Sequence, residues 1–417
     1  MASPGPAIDA DGVIADLREL DRRTGGPGGA RRLCWGDEWG AARSFLGELL
    51  AELGIEPELD AAGNLWALLP GAAEPALAVG SHLDSVPAGG WLDGAYGVMA
   101  GLGVVRAWAR AGEPPPRTLA LVDWADEEGA RFGRSLFGSS AFSGTLDIEQ
   151  VRELRDASGA ALPEILAANG VDLDRVLESG EWTERVGAYL ELHIEQGPVL
   201  EREGRGPAAV RGCAGVERHR FRISGQASHA GTTPMELRRD AGLAAADAAL
   251  RIEAIARDRE GVGTTGVLRL EPGIPTAVAG EAELVADIRH FDGGELATML
   301  AEVRDAVEDS AVARECGVES DRIWGIEPIP FDPGLVEAAR EACAAAGGSE
   351  RPITSGALHD AAEVARVRPA AMVFCPSIAG LSHAKDEDTA EADLAAGIEA
   401  FGLLANRVLN GTDEERK

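Results

Sequence analysis

Apolar residues along this chain form short continuous runs that alternate with stretches of helical spacing. The runs at 76–79, 119–122 and 188–190 are typical of strands buried on both faces, whereas 37–53 and 94–112 carry apolar positions at helical spacing. This alternation predicts an α/β fold in which helices flank a mixed, largely parallel sheet. Ligands of such sheets gather beyond the carboxyl ends of the strands, so polar side chains at those positions are candidate site residues.

The pattern changes from about Val216, where alternating strands are interspersed with two long helices. The predicted order of elements is βαββαβ, which is typical of a ferredoxin-like α+β domain, and its first helix is expected to begin near Pro234. We therefore predict an inserted domain over residues 214–328. The α/β pattern then returns, and residues 1–213 and 329–417 are expected to form one catalytic domain.

Composition narrows the classes of partner. The chain has 417 residues and a formal net charge of −31, which argues against nucleic acids and anionic membrane surfaces. No apolar run approaches the roughly 18–20 residues that a membrane span needs. Without a charged-then-apolar leader, and with five scattered cysteines that form no CxxC pair, a cytoplasmic location is expected.

The segment "GSHLDSVPAGGWLDGAYG" at 80–97 places one imidazole and two carboxylates directly after an apolar strand. Asp84 has the spacing to hold one ring nitrogen of His82, which would leave the other nitrogen for a metal, or it could cap a turn. Asp93 could bridge two cations, or it could cap the helix that follows.

Two further segments of the same kind follow apolar strands. Glu127 and Glu128 come after "LALVDW", where burial makes adjacent negative charges costly and a cation would relieve the cost. His193 lies in "ELHIEQGPVLE", and His383 follows a Gly/Ser turn. Nitrogen and oxygen donors of this mixture suit Zn, Mn, Co or Ni, and the predicted ligand set is His82, Asp93, Glu128, His193 and His383.

These motifs resemble those of the M20-type binuclear metallo-amidases, and among them the hydantoinase/carbamoylase amidases. The resemblance rests on segments in the family's order: "GSHLDSVPAGGWLDGAYGV", "DEEGARFG", "ELHIEQGPVLE", "SHAGTTPMELRRDA", "DIR", "SGALHDAA" and "GLSH". It implies a zinc-exopeptidase-like catalytic domain with two divalent metal ions per subunit. His82 and His193 would hold one ion, Glu128 and His383 the other, and Asp93 would bridge them.

The resemblance also implies roles in catalysis and substrate binding. Glu127 would be the general base toward a hydroxide that bridges the metals, and Asp84 would orient His82. The inserted domain would be a lid and would form the interface of a homodimer. His229 of this domain would reach the partner subunit's site and polarise the scissile carbonyl there. The expected substrate-binding residues are Gln196, Thr276, Arg289 and His359, with Arg289 on a substrate carboxylate.

The implied activity is hydrolysis of the C–N bond of a small N-carbamoyl (ureido) acid. An N-carbamoyl-L-amino acid is the expected substrate. The alternative substrates are allantoate or another ureido acid, or the substrate of a dipeptidase or an aminoacylase. The alternative to an enzyme is a metal-binding protein without catalytic activity. Thr276 stands where the family has Asn, Leu358 where it has Gly, and Ala384-Lys385 where it has Asn-Pro. These departures bear on the substrate, because the metal set is complete.

Overall fold

The computed structural model describes residues 5–411, which divide into two compact units. Unit 1 comprises the described residues up to Arg211 and from Pro330 onward, and unit 2 is Gly212–Ile329. These limits differ from the predicted insertion, 214–328, by two residues at one end and one at the other. The roles assigned to the domains, metal binding for one and lid or dimerisation for the other, stay predictions.

The strands are numbered in chain order: β1 Glu58–Leu59, β2 Leu65–Leu69, β3 Ala76–His82, β4 Leu119–Trp124, β5 Val186–Ile194, β6 Ala208–Cys213, β7 Gly215–Ser224, β8 Ser228–His229, β9 Val262–Glu271, β10 Ala277–Val278, β11 Glu281–His290, β12 Gly317–Ile326, β13 Ile329–Pro330, β14 Ile353–Ser355 and β15 Ala370–Cys375.

The α-helices, in the same order, are α1 Ala10–Thr24, α2 Asp37–Ala51, α3 Ala95–Arg110, α4 Phe137–Ser143, α5 Ile148–Arg152, α6 Leu162–Ala168, α7 Val199–Arg202, α8 Ala241–Asp258, α9 Gly293–Val312, α10 Pro333–Ala345, α11 Asp360–Val364 and α12 Glu391–Leu409. Segments of 3₁₀ helix lie at Leu173–Arg185, Met235–Leu237 and Ile378–Gly380. No helix within residues 5–411 is long and apolar enough to cross a bilayer, and the cytoplasmic location stays a prediction.

Unit 1 contains the predicted mixed, largely parallel sheet. Its strands lie in the order β1-β2-β4-β3-β5-β15-β6-β13, with β14 beside β6. The four central strands β4, β3, β5 and β15 are parallel, and β2 and β6 flank them in the antiparallel direction. On one face of the sheet, Leu77, Val79 and Leu121 belong to a core that also contains side chains of α1, α2, α3, α10 and α12. Every residue of β3, β4 and β15 is buried, so the opposite face of these strands is covered as well.

The parallel strands place three of the predicted segments at one edge of this sheet. His82 is the last residue of β3, and the acidic segment that contains Glu127 and Glu128 follows β4. His193 is the penultimate residue of β5. Since parallel strands end at the same edge, residues that are more than a hundred positions apart in sequence become neighbours.

Unit 2 has the expected ferredoxin-like topology. Its sheet is antiparallel in the order β12-β7-β11-β9, and α8 and α9 pack on the face that carries Phe221, Leu284 and Ile288. The start of α8 differs from the prediction. The helix begins at Ala241, because residues 235–237 form a 3₁₀ turn and the Asp240 side chain accepts hydrogen bonds from the first helical amides.

Candidate metal centre

Asp93 is the point at which two groups of donor atoms meet. Its Oδ1 atom lies 3.2 Å from His193 Nε2 and 3.9 Å from His82 Nε2. Its Oδ2 atom lies 3.3 Å from His383 Nε2, which in turn is 3.4 Å from Glu128 Oε2. The five predicted ligands are therefore neighbours, arranged around one carboxylate that is buried.

The backbone after Asp93 explains how this carboxylate reaches the histidines. Gly94 has φ 64°, a left-handed conformation that favours glycine, and a Cβ atom there would lie 2.4 Å from the His82 ring. Gly94 is also the N-cap of α3, and among the described residues no side chain caps that helix by a hydrogen bond. The alternative role of Asp93 as a helix cap is therefore not what the structure shows.

His82 and His193, the two buried histidines among the predicted ligands, each have the Nε2 atom on the side of Asp93. His193 Nδ1 lies 2.9 Å from the carbonyl oxygen of Ile194, and His82 Nδ1 lies 3.1 Å from that of Asp84. A carbonyl only accepts, so each Nδ1 carries the hydrogen, and in the neutral ring Nε2 carries a lone pair. His193 Nε2 is buried without a hydrogen-bond partner among residues 5–411.

That arrangement fits a cation. A lone pair that faces a carboxylate oxygen at 3.2 Å is repulsive unless a proton or a metal ion lies between them. Two groups of three donors are compact enough to bind one ion each, with atoms within 4.8 Å of one another: His82, Asp93 and His193, and Asp93, Glu128 and His383. Their imidazole and carboxylate chemistry is that of Zn, Mn, Co or Ni sites.

Charge and burial act strongly on the acids of this edge. Burial raises the pKa of Glu127 well above its usual value, against the opposing effect of His82. Burial, together with the charge of Asp93, raises the pKa of Glu128 to about 7. The hydrogen bond to Asp93 raises the pKa of His383 to about 9. Closely packed carboxylates with such shifts indicate a site at which negative charge needs compensation.

Asp84 differs from its predicted role in one respect. Its carboxylate accepts hydrogen bonds from the backbone amides of Glu127 and Glu128 at 3.2 and 3.1 Å, while its Oδ1 atom is 3.5 Å from His82 Nδ1. The carbonyl of Asp84 is the nearer partner of the ring. Asp84 thus holds the acidic turn, the alternative that the sequence left open, and supports His82 mainly through its backbone.

Glu127 lies beside the donor groups but belongs to neither in the part of the chain that the structure describes. Its Oε2 atom is 3.6 Å from His82 Nε2. The residue before it, Asp126, has a left-handed conformation, φ 56°, so the chain turns where the two glutamates begin. Adjacent carboxylates on a strand would face opposite sides, so this turn allows both to lie near the same edge.

Gln196, His359 and Glu191 surround the histidines. Gln196 Nε2 donates to Asp93 Oδ2 at 3.0 Å, a contact not predicted from the sequence. The ring of His359 lies 4.5 Å from that of His193 between centroids, and its Nε2 contacts the Ser355 hydroxyl. Glu191, which with these two histidines makes a third compact donor group, accepts from the Ser81 hydroxyl at 2.6 Å and from a backbone amide.

Two residues of the site were not predicted from the sequence. Glu387 and Ser382 are hydrogen-bonded to each other and to the turn of Asp93. Glu387 lies in "KDEDT" among other acids, and no spacing distinguishes it there from a solvated acidic loop. The nearness of Ser382 to His383 was the signal that could have drawn attention to it.

The other predicted residues lie in unit 2. His229 is exposed on β8, and its Nδ1 accepts a hydrogen bond from the Gly231 amide at 3.1 Å. Thr276 is exposed on the neighbouring segment, and its carbonyl accepts from the Ala230 amide. Arg289 on β11 forms an ion pair with Asp287 at 2.7 Å. Each of these contacts is local, either within a turn, between neighbouring segments or along one strand, and the roles of these residues toward a substrate stay predictions.

Known proteins resemble this chain over most of its length. The family described as Peptidase family M20/M25/M40 matches residues 78–407. An N-carbamoyl-L-amino acid amidohydrolase of Geobacillus stearothermophilus is 38% identical over 93% of this chain and 95% of its own length. An allantoate amidohydrolase of Bacillus subtilis is 33% identical, over 90% of this chain and 91% of its own.

A solved structure gives the same answer for the fold. The amidase of the hydantoinase/carbamoylase family from Burkholderia multivorans superposes with a TM-score of 0.88 at 33% identity, and the match covers 96% of this chain and 98% of the amidase. The family match, the relatives and the shared fold agree with the motifs at the sheet edge. The chain therefore belongs to peptidase family M20/M25/M40, among its hydantoinase/carbamoylase amidases, and is a hydrolase of C–N bonds.

Proposed function

We propose that this protein is a metal-dependent amidohydrolase of small ureido acids, with an N-carbamoyl-L-amino acid as its substrate. The observation that carries the proposal is the buried Asp93 carboxylate shared by two compact donor groups, with Glu127 beside them. The amidohydrolases named above support the substrate class, since one acts on N-carbamoyl-L-amino acids and the other on allantoate. Both substrates contain a ureido carbonyl, which is a poor electrophile because two nitrogens donate into it.

We assign two divalent cations to the donor groups, one to His82 and His193, the other to Glu128 and His383, and both to Asp93. Bound there, they would supply the positive charge that makes water nucleophilic near neutral pH and that stabilises negative charge on the substrate oxygen. The chain's own contribution is to fix the donors. The carbonyls of Asp84 and Ile194 set the ring tautomers, and Gly94 allows close approach.

Glu127 is assigned the proton transfers. It takes a proton from the attacking water and delivers it to the departing nitrogen, which must be protonated to leave. Its geometry suits the task, since it lies 3.6 Å from His82 Nε2 yet outside both donor groups among the described residues. Asp84 accepts hydrogen bonds from the amides of Glu127 and Glu128 and so holds the backbone that carries the base.

The remaining predicted residues are assigned to the substrate. Arg289 would bind its carboxylate, and His229 would donate a hydrogen bond to the oxyanion, a contribution of roughly 2.7–4 kcal/mol for one such donor. Thr276, Gln196 and His359 would contact the ureido group. Gln196 already donates to Asp93, so its part in substrate binding is secondary to that contact.

A substrate panel tests the proposal. The protein loaded with Mn²⁺, Co²⁺, Ni²⁺ or Zn²⁺ would be incubated with N-carbamoyl-L-amino acids, allantoate, N-acetyl-L-amino acids and dipeptides, and the ammonia and free amine would be measured. We expect ammonia and a free amino acid from the N-carbamoyl compounds. Turnover of allantoate alone would identify the protein as an allantoate amidohydrolase instead. Turnover of acyl or peptide substrates alone would contradict the ureido class.

We also propose that unit 2 forms a homodimer through β9 and α8. Strand β9 is at one end of the sheet order, so its outer edge offers unpaired backbone groups in the part of the chain described. Leu268 on β9 is 45% exposed, and Leu250 on α8 is 69% exposed. A second copy is the occupant that fits, because two such edges are self-complementary across a twofold axis.

Light scattering tests the dimer. The wild type should have twice the mass of one chain, and Leu250→Asp with Leu268→Asp should have the mass of one. Val312→Asp, which changes a comparably exposed residue of α9, is the matched control and should leave the mass unchanged. A monomeric wild type would remove this interface.

A further inference from the structure

Glu387 connects the two loops that carry the shared carboxylate and the exposed histidine. Its Oε1 atom accepts hydrogen bonds from two successive backbone amides, those of Leu92 at 3.2 Å and Asp93 at 3.1 Å. Its Oε2 atom accepts from the Ser382 hydroxyl at 2.9 Å. The side chain is buried, with the residue 2% exposed, so these bonds are shielded from competing water.

Ser382 and Gln196 extend this connection to the Asp93 side chain. The Ser382 hydroxyl lies 3.4 Å from Asp93 Oδ2, and Gln196 Nε2 lies 3.1 Å from Ser382 Oγ and 3.0 Å from Asp93 Oδ2. These contacts are on the oxygen that faces His383, whereas Oδ1 faces His193. The network therefore determines how the carboxylate divides its two oxygens between the two donor groups.

The backbone around Glu387 is shaped to admit it. A Cβ atom on Gly90 would lie 2.0 Å from Glu387 Oε1, so only glycine leaves room for the carboxylate there. His383 itself has φ 53°, in the left-handed region that is costly for a residue with a side chain. Glu387 helps to hold that turn through Ser382 and through its own amide, which donates to the Ala384 carbonyl at 3.0 Å.

We propose that Glu387 is a positioning residue that fixes the Asp93 carboxylate relative to His383, and thereby completes the cation site of Asp93, Glu128 and His383. The inference rests on the metal centre of the proposed function and deepens it. Glu387 touches neither cation nor substrate in this scheme. Outer partners of metal ligands typically contribute roughly 10–100-fold to affinity, because a ligand that must be reoriented binds less tightly.

The experiment is a metal titration of the full-length chain after removal of bound metal. Calorimetry with Mn²⁺, and the visible spectrum with Co²⁺, would be recorded for the wild type, Glu387→Ala, Glu387→Gln and Glu363→Ala. Glu363 is the matched control, because it is also a buried glutamate that accepts from two hydroxyls, Ser143 and Thr145. These contacts do not involve the loop of Asp93 or the loop of His383.

We expect two sites in the wild type and in Glu363→Ala. In Glu387→Ala, one site should weaken by roughly 10–100-fold while the other keeps its affinity. Glu387→Gln should recover most of the loss, since its amide oxygen can still accept from the two backbone amides. Gly90→Ala should weaken the same site without removing a charge, and it replaces Glu387→Ala if that variant does not fold.

Two results would overturn the inference alone. One is wild-type affinity at both sites in Glu387→Ala and Gly90→Ala, and the other is an equal loss of affinity in Glu363→Ala, which would indicate general destabilisation. A wild type that binds no divalent cation would overturn the proposed function as well. The two failures are therefore distinguishable from the wild-type titration.

Discussion

The candidate residues of unit 1 and those of unit 2 differ in what their side chains contact. In unit 1, His193 directs at a carboxylate a buried Nε2 atom that has no hydrogen-bond partner among the described residues, and Asp93 faces donors on both of its oxygens. In unit 2, His229 accepts a hydrogen bond from a turn amide, and Arg289 is paired with Asp287. The first arrangement needs a proton or a metal ion between the facing donors, whereas the second is satisfied by hydrogen bonds and ion pairs within the protein. The side-chain contacts within a single chain therefore indicate a metal centre, but they do not indicate which residues contact a substrate.

Removal of metal is the most severe test of this contrast. A strong chelator followed by desalting should abolish hydrolysis of the N-carbamoyl substrate, because the donor groups of unit 1 would lack the charge that activates water. Added Mn²⁺, Co²⁺, Ni²⁺ or Zn²⁺ should restore it. If elemental analysis shows no metal and the protein keeps full activity, the proposal that the donor groups of unit 1 bind catalytic metal ions is wrong.

Glu127→Gln should lower kcat by roughly 10²–10⁴-fold, the usual contribution of a positioned acid–base group. Its metal content, measured by elemental analysis, should stay at the wild-type level, since Glu127 is outside both donor groups of the described chain. Glu195→Gln is the control. Glu195 is an acid at the same sheet edge whose contacts are with the amides of α7. A native rate in Glu127→Gln would remove it as the base.

Arg43→Met should destabilise unit 1. Arg43 donates to the fully buried Asp123 at 2.6 Å, and Asp123 in turn accepts from the Leu83 amide. Removing one partner of a buried pair costs about 3–5 kcal/mol, because the other charge remains buried. Arg257→Met, which breaks an exposed pair on α8, should leave the urea midpoint unchanged. Equal midpoints for the two variants would show that burial does not distinguish these pairs.

Arg289→Ala should have the smallest effect of the four. A charged hydrogen bond is worth about 1.5–3 kcal/mol, so KM for a carboxylate substrate should rise by roughly 10–100-fold with kcat nearly unchanged. Arg222→Ala, which removes an arginine paired with Asp321 in the same sheet, is the control. An unchanged KM in Arg289→Ala would remove Arg289 from the substrate site.

Much of the architecture could be predicted from the chain. The apolar runs identified β3, β4 and β5, and the change of pattern near Val216 identified the ferredoxin-like unit. The exceptions are local. Helix α8 begins after a 3₁₀ turn rather than near Pro234, because Asp240 is the residue that caps it. A proline near the start of a helical pattern does not by itself determine which residue is the cap.

The sequence by itself determined which residue types follow which strands, and so placed His82, Glu127, Glu128 and His193 at one sheet edge, because strand polarity alone requires it. Only the tertiary structure decided how their atoms face one another: that Asp84 holds the acidic turn, that Gln196 and Ser382 orient Asp93, and that Glu387 joins two loops. These contacts join residues as far as 295 positions apart, and they depend on turns with left-handed backbone. Periodicity indicates which face of an element a residue occupies, but the loops that bring distant side chains into hydrogen-bond contact have no periodic pattern.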